Sequence, residues 1–213
     1  MSTTRHSGPG CPFDAVVVVG SQGALHSFQE MSRALTPSFP APVIFDLHRS
    51  GRYDMIQQVL ERRTGLHVDL AREGSAARPG QLYLAPADRQ LVISDERRFN
   101  LLEPTDGVGH RFADPLLTSA AEVFGPRLIA VVLSGRLNGG ASGVRRVKRR
   151  GGRVIVQHPD SAAAASMPNA ALATGCVDFA LRPDRIGNAL IALCAAAGAA
   201  ELFRVRVNAA VAS

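Results

Sequence analysis

Residues 14–28 read DAVVVVGSQGALHSF. Four consecutive valines with no polar residue between them fit a strand covered on both faces, because a strand with one wet face would alternate. The run stops at Gly20-Ser21-Gln22-Gly23, and a helical segment follows at once. Such a strand–turn–helix presents Ser21 at the strand's C-terminal end, with the free N–H groups of a helix start close behind it. Two readings of Ser21 stand at this point. It is a nucleophile whose oxyanion those N–H groups can hold, or a small polar residue of the kind that strand-to-helix turns need.

The same alternation continues outward. Strand patterns are read at 42–48 (PVIFDLH), 66–71, 128–135 (LIAVVLSG) and 153–159, and 81–95 (QLYLAPADRQLVISD) is read as an antiparallel hairpin turning at Pro86-Ala87-Asp88. Helical patterns are read at 27–35, 55–64, 114–125, 142–151 and 184–198, with Asp114 expected to cap the third and Pro115 in its first turn. All-apolar strands alternating with helices predict an α/β domain: a doubly wound, mostly parallel sheet with helices on both faces and the hairpin appended. Residues 1–13 are expected to be a flexible N-terminus, 14–198 the domain and 199–213 a C-terminal tail.

Composition narrows the class. The chain has 213 residues, 46% of them hydrophobic, which supports a substantial core. No apolar run is long enough to cross a bilayer, and the first residues lack the apolar centre of a secretion signal, so a cytoplasmic location without membrane insertion is expected. Cys11, Cys176 and Cys194 are odd in number and far apart, and they are read as reduced thiols. Formal net charge is +6. The basic residues are dispersed except for Arg145, Arg146, Lys148, Arg149 and Arg150, which suggests a solvated helix face, or a surface for an acidic protein, rather than a nucleic-acid site.

In a doubly wound sheet, function collects at the C-terminal ends of the strands. One such end carries Ser21, another Asp46-Leu47-His48, and a third the glycine-rich SGRLNGGASG. A serine and a histidine at neighbouring strand ends begin a nucleophile–base pair. The remaining histidines, His26, His67, His110 and His158, show no metal-ligand spacing. Gly20-Ser21-Gln22-Gly23 is too short for a dinucleotide fingerprint and lacks the lysine of a P-loop.

The segments VVVGSQGA, PVIFDLH, RPGQLYLAPADRQL (78–91), DPLLTSAA (114–121), VVLSGRLNGGASG (131–143), VIVQ (154–157) and Ser166-Met167-Pro168 occur in the order and spacing of a known family. Over residues 14–196 the chain resembles the CheB-type chemotaxis methylesterases, a family that hydrolyses methyl esters of glutamate on chemoreceptor helices and deamidates glutamine there. The resemblance implies Ser21 as nucleophile and His48 as base, backbone N–H groups near Gln22, Arg136 and Leu137 as oxyanion donors, no cofactor and no metal. It implies a protein substrate, a methylated receptor-type helix.

Two departures from the family pattern matter. The family's loop reads Gly-x-x-Asn-Asp-Gly, its aspartate orienting the histidine; here Gly139 stands in that place. Loss of a triad acid typically costs about 10⁴-fold in kcat. Asp46, on the strand of His48, Asp160, past the strand ending at Gln157, and Asn138 are the candidate substitutes; an Asp46 contact would raise the pKa of His48. Typical members also carry a receiver domain ahead of the catalytic one, whereas about a dozen residues precede the first strand here, so a receiver or other signalling protein is expected as a separate chain. The expected function is a stand-alone protein-glutamate methylesterase with impaired activity; the alternative is a catalytically silent relative that serves as a protein-binding module.

Overall fold

A computed structural model of the chain describes residues 10–48, 54–104, 112–136 and 139–195. Seven strands form one parallel sheet: β1 (Ala15–Gly20), β2 (Val43–Leu47), β3 (His67–Leu70), β4 (Gln81–Leu84), β7 (Leu128–Val132), β8 (Arg153–Gln157) and β9 (Phe179–Leu181). Their order across the sheet is β3-β4-β2-β1-β7-β8-β9. The valine run is therefore central, and every residue of β1 is buried. The chain builds leftward from β1 through β2 and later resumes on its other side at β7, so the loops after β1 and β7 diverge. That divergence leaves a crevice at the C-terminal edge, where doubly wound sheets hold their sites.

Strand residues alternate between two cores, because successive side chains point to opposite faces. Val16, Val18, Val43, Phe45 and Leu47 face a core shared with α1 (Ala24–Ser32), α2 (Asp54–Glu61) and α6 (Pro183–Ala195). There Phe28 of α1 stacks on Phe45 with centroids 4.3 Å apart. Ala15, Val17, Val19 and Ile44 face the other core, built with α3 (Ala113–Phe124), α4 (Ala141–Arg149) and α5 (Ser166–Leu172). Helices thus cover both faces, as the apolar strands predicted.

The hairpin lies elsewhere than expected. Gln81–Leu84 is an interior parallel strand, paired with β2 on one side and β3 on the other. Three of its four residues are buried, so both its faces need cover, which a projecting hairpin arm lacks. Pro86-Ala87-Asp88 leads out of β4 instead of reversing it. The antiparallel hairpin is β5 (Gln90–Ile93) with β6 (Phe99–Leu102), a strand the sequence reading missed. Its turn places Arg97 at φ +62°. Arg97 and Arg127 both bind the buried carboxylate of Asp14, at 3.0 and 2.7 Å, tying the hairpin to the sheet's N-terminal edge, opposite the crevice.

Three further expectations change. Asp114 is not the cap of α3 but a residue of its first turn, and its carboxylate accepts the Gly143 N–H of α4 at 2.7 Å. Of the basic run, Lys148 is buried and ion-paired with the fully buried Asp178, and Arg146 and Arg150 both clamp Glu122 of α3. Only Arg145 and Arg149 are left as exposed side chains of that run with no ion pair among the described residues, so the run is more fastener than surface. Cys11 and Phe13, assigned to the flexible N-terminus by sequence, are buried in the first core; residues 1–9 and the tail 199–213 lie outside the described residues.

Candidate active site

Ser21 follows Gly20, the last residue of β1, and His48 follows Leu47, the last of β2. Gly20 and Leu47 are register partners in this parallel pair, and the His48 N–H donates to the Gly20 carbonyl at 2.9 Å. The ladder therefore runs one step past the strands and fixes the His48 backbone beside Ser21. Continuing the alternation, Ser21 follows Val17 and Val19, while His48 follows Ile44 and Asp46. Both positions belong to the face of the second core. The two strand ends that the sequence singled out are adjacent and share a face.

The turn that carries Ser21 is held from several directions. The Ser21 N–H donates to the Ser134 carbonyl at 3.0 Å, and the Ser21 carbonyl accepts from Ala24 at 3.0 Å. Gly23, at φ +82°, opens α1; a side chain there would meet Ala163 and the Ser134 hydroxyl. The N–H groups of Gln22 and Gly23 have no acceptor among the described residues. They stand beside Ser21 at the positive end of α1, which is what an oxyanion needs. Of the donors expected after β7, Arg136 is exposed on the loop and Leu137 lies outside the described residues, as does Asn138, the amide considered in place of the acid.

A buried polar support beneath this turn escaped the sequence reading. The Ser134 hydroxyl donates to the Gln22 carbonyl at 2.7 Å and accepts the Ala164 N–H at 2.9 Å. The Ser134 N–H donates to Gln157 Oε1 at 2.9 Å, and Gln157 Nε2 donates to the Ser161 carbonyl at 2.9 Å. Ser134 and Gln157 are both fully buried. The available signal was a polar residue closing an otherwise apolar strand pattern, as in VVLS and VIVQ. Gly135 lets three segments meet: a Cβ there would collide with Met167 and come within 3.2 Å of Ser21 Cβ.

The surroundings of His48 differ from expectation. Its ring stacks on Phe112, just ahead of α3, with centroids 4.5 Å apart and planes inclined by 22°. No side chain hydrogen-bonds the ring among the described residues. The ring keeps an open edge to solvent, yet the burial of its covered part moves the imidazole pKa below its ordinary value of 6.5. The rise expected from an Asp46 contact is not seen: desolvation sets the direction, with no opposing carboxylate among the described residues. Asp46 is half-buried on the same face, two residues back. Asp160 is no substitute: it is highly exposed, pairs with His158 at 3.7 Å, and follows β8, three strands from β2.

Gly139 is buried. Its neighbour Gly140 caps α4 at φ +94°, and a Cβ on Gly140 would touch Ala113, Leu117 and Val19. The turn at 139–140 thus lies over the end of β1, on the face of Ser21 and His48. His26 pairs with Glu30 on the surface of α1, and His67 is exposed on β3. His110 lies outside the described residues.

Comparison with known proteins points to one family. A sequence model of the CheB methylesterases matches residues 16–190. The chain is 34% identical over 189 residues to the protein-glutamate methylesterase FrzG of Myxococcus xanthus, covering 88% of this chain and 57% of that protein. It is 32% identical over 193 residues to protein-glutamate methylesterase/protein-glutamine glutaminase 3 of Geobacter sulfurreducens, covering 87% and 52%. The chain thus spans about half the length of these curated relatives. The crystal structure of the Thermotoga maritima CheB methylesterase catalytic domain superposes with a TM-score of 0.80 at 30% identity, covering 85% of this chain and 98% of that one.

Proposed function

The chain belongs to the CheB methylesterase family, and on that premise we propose that it hydrolyses glutamate methyl esters on a protein substrate, with Ser21 as nucleophile and His48 as general base. The observation that carries this reading is the adjacency of the two residues at the ends of register-paired strands. His48 takes the hydroxyl proton as Ser21 Oγ attacks the ester carbonyl. The tetrahedral oxyanion is held by the N–H groups of Gln22 and Gly23, each such donor being typically worth about 3 kcal/mol. Collapse breaks the acyl–OCH₃ bond, and His48 returns the proton so that methanol leaves. Water, deprotonated by His48, then attacks the glutamyl-serine ester and restores Ser21 with release of the glutamate side chain. A glutamine side chain would follow the same course with ammonia leaving.

Among the described residues His48 is held by its main-chain bond to Gly20 and by the Phe112 stack rather than by an acid, so turnover is slow. The substrate is a methylated receptor-type helix, and the setting is the cytoplasm. The test is methanol release from a glutamyl-methyl-ester peptide. Release that disappears in Ser21→Ala supports the reading; release unchanged in that variant overturns it. Gly139, in the place of the family's orienting aspartate, favours a second reading: a silent relative that binds the helix without cleaving it. Peptide binding with no release in the wild-type chain would select that one.

A further inference from the structure

A cavity of about 650 Å³ opens along the edge of the sheet at β3 and β4, away from the crevice, and its lining is cationic. Arg72, Arg78 and Arg98 face Asp69, Gln81 and Tyr83 there. Arg98 is already paired with Glu96 at 3.8 Å, which leaves the guanidiniums of Arg72 and Arg78 against the one lining carboxylate, Asp69. The guanidiniums of Arg72 and Arg78 have no hydrogen-bond or ion-pair partner among the described residues. The one acid within the loop, Glu73, is already engaged: its carboxylate accepts the Leu101 N–H at 2.6 Å.

The walls are built rather than incidental. The loop after β3 joins the β5–β6 hairpin: Gly74 N–H donates to the Phe99 carbonyl and Phe99 N–H to the Ser75 carbonyl, both at 2.8 Å. Arg98 Nη1 donates to the Gly74 carbonyl at 2.8 Å. The buried Tyr83 hydroxyl accepts the Arg78 N–H at 3.2 Å and donates to Gln81 Oε1, so the backbone that bears Arg78 is pinned to the floor. Tyr83 faces the second core, the face to which Ser21 and His48 also belong.

The geometry points to a docking site for carboxylates of the protein substrate, an acidic helical segment beside the ester. This rests on the proposed reading of Ser21 and His48 for the identity of the ligand. Guanidinium forks match carboxylates bidentately, and arginine surpluses of this kind select acidic partners. Tyr83 pairs in register with Ile44, four residues before His48, and Asp69 lies one strand further out. At about 3.3 Å per residue and about 4.8 Å per strand, the cavity lies roughly 16 Å from His48. That is about three helical turns, so one amphipathic segment reaches both places.

The test is direct binding to the full chain carrying Ser21→Ala, which leaves no hydrolysis to interfere. The probe is a fluorescent helical peptide with glutamates three turns from a glutamine that replaces the ester residue, read by anisotropy. Arg72→Glu with Arg78→Glu is expected to weaken binding on the order of tenfold or more, and added salt to weaken the parent complex. A glutamate-to-glutamine peptide should lose the same amount. Melting temperature checks the fold of the variant, and Arg72→Gln with Arg78→Gln supplies a milder pair. Equal affinity in parent and variants, equal affinity for the neutral peptide, or no peptide binding overturns the proposal. So does inorganic phosphate binding more tightly than the peptide. Because binding does not require Ser21, loss of esterase activity with arginine-dependent binding intact counts against the proposed reaction and not against this site.

Discussion

The imidazole of His48 lies against the ring of Phe112, 4.5 Å between centroids and nearly parallel. Phe112 stands directly before α3, whose first turn is fastened to α4 through Asp114 and Gly143. The position of the proposed base is therefore set by helix packing, and among the described residues no carboxylate hydrogen-bonds its ring. Removing the ring in Phe112→Ala should lower kcat by a few-fold to about tenfold, the range of a lost aromatic pair. It should also move the acidic limb of the pH profile upward, since the imidazole becomes better solvated. Phe112→Tyr should keep the stack and restore both. A kcat loss with an unmoved limb would mean that the ring serves only the fold.

The pH dependence has a definite sign. Burial of part of the His48 ring lowers its pKa from 6.5 because the charged form is disfavoured. The neutral imidazole that accepts the Ser21 proton then persists to lower pH. The kcat/KM profile should fall on its acidic side with an apparent pKa below 6.5. The matching stability contribution is present above the unfolded-state value and lost as pH falls toward the folded one. An acidic limb above 6.5 would point to a carboxylate partner for His48.

Ser21→Ala should reduce ester hydrolysis by about 10³-fold or more, as removal of a nucleophile does. Its melting temperature should stay near that of the parent, because Ser21 contributes main-chain bonds that alanine retains. A variant that both unfolds and loses activity would assign Ser21 to the turn alone.

Gly139→Asp places an acid where the family carries one, on a turn that lies over the end of β1. The expected outcome is a rise in hydrolysis of at least tenfold, set against the roughly 10⁴-fold typical of a triad acid. The same variant should raise the apparent pKa of His48, because a nearby carboxylate favours the imidazolium. Methanol release and the pH profile, measured together, check both effects.

Lys148 and Asp178 form a buried ion pair, and removing the ammonium takes one charge partner from a buried carboxylate. Lys148→Met should destabilise the domain by about 3 kcal/mol or more, read from the denaturant midpoint. Arg145→Met, at an exposed position on the same helix, should cost less than about 0.5 kcal/mol. Similar shifts for the two variants would return the whole run to the solvated face that its sequence suggested.

By itself the sequence determined the layered architecture and the two strand ends that matter. An unbroken valine run leaves both faces in need of cover, and a strand that ends in Gly-Ser beside a helix start leaves a serine at a sheet edge. Local pattern could also place His48 at a strand end, and the family resemblance marked Gly139 as standing in the place of an acid. Partners distant in the chain lay beyond it. Gln81–Leu84 looked like one arm of a hairpin because a short apolar strand carries no mark of which strand it pairs with, and only packing between β2 and β3 made it interior. Asp160 stood behind Asp46 as a second acid for His48 until the strand order put β8 three positions away. Phe112 and the Ser134–Gln157 support come to the site from segments 64 and more residues from His48 or Ser21, through contacts made only when the two cores close around the sheet. Those contacts decide how the base is held, and partial burial of its imidazole lowers its pKa.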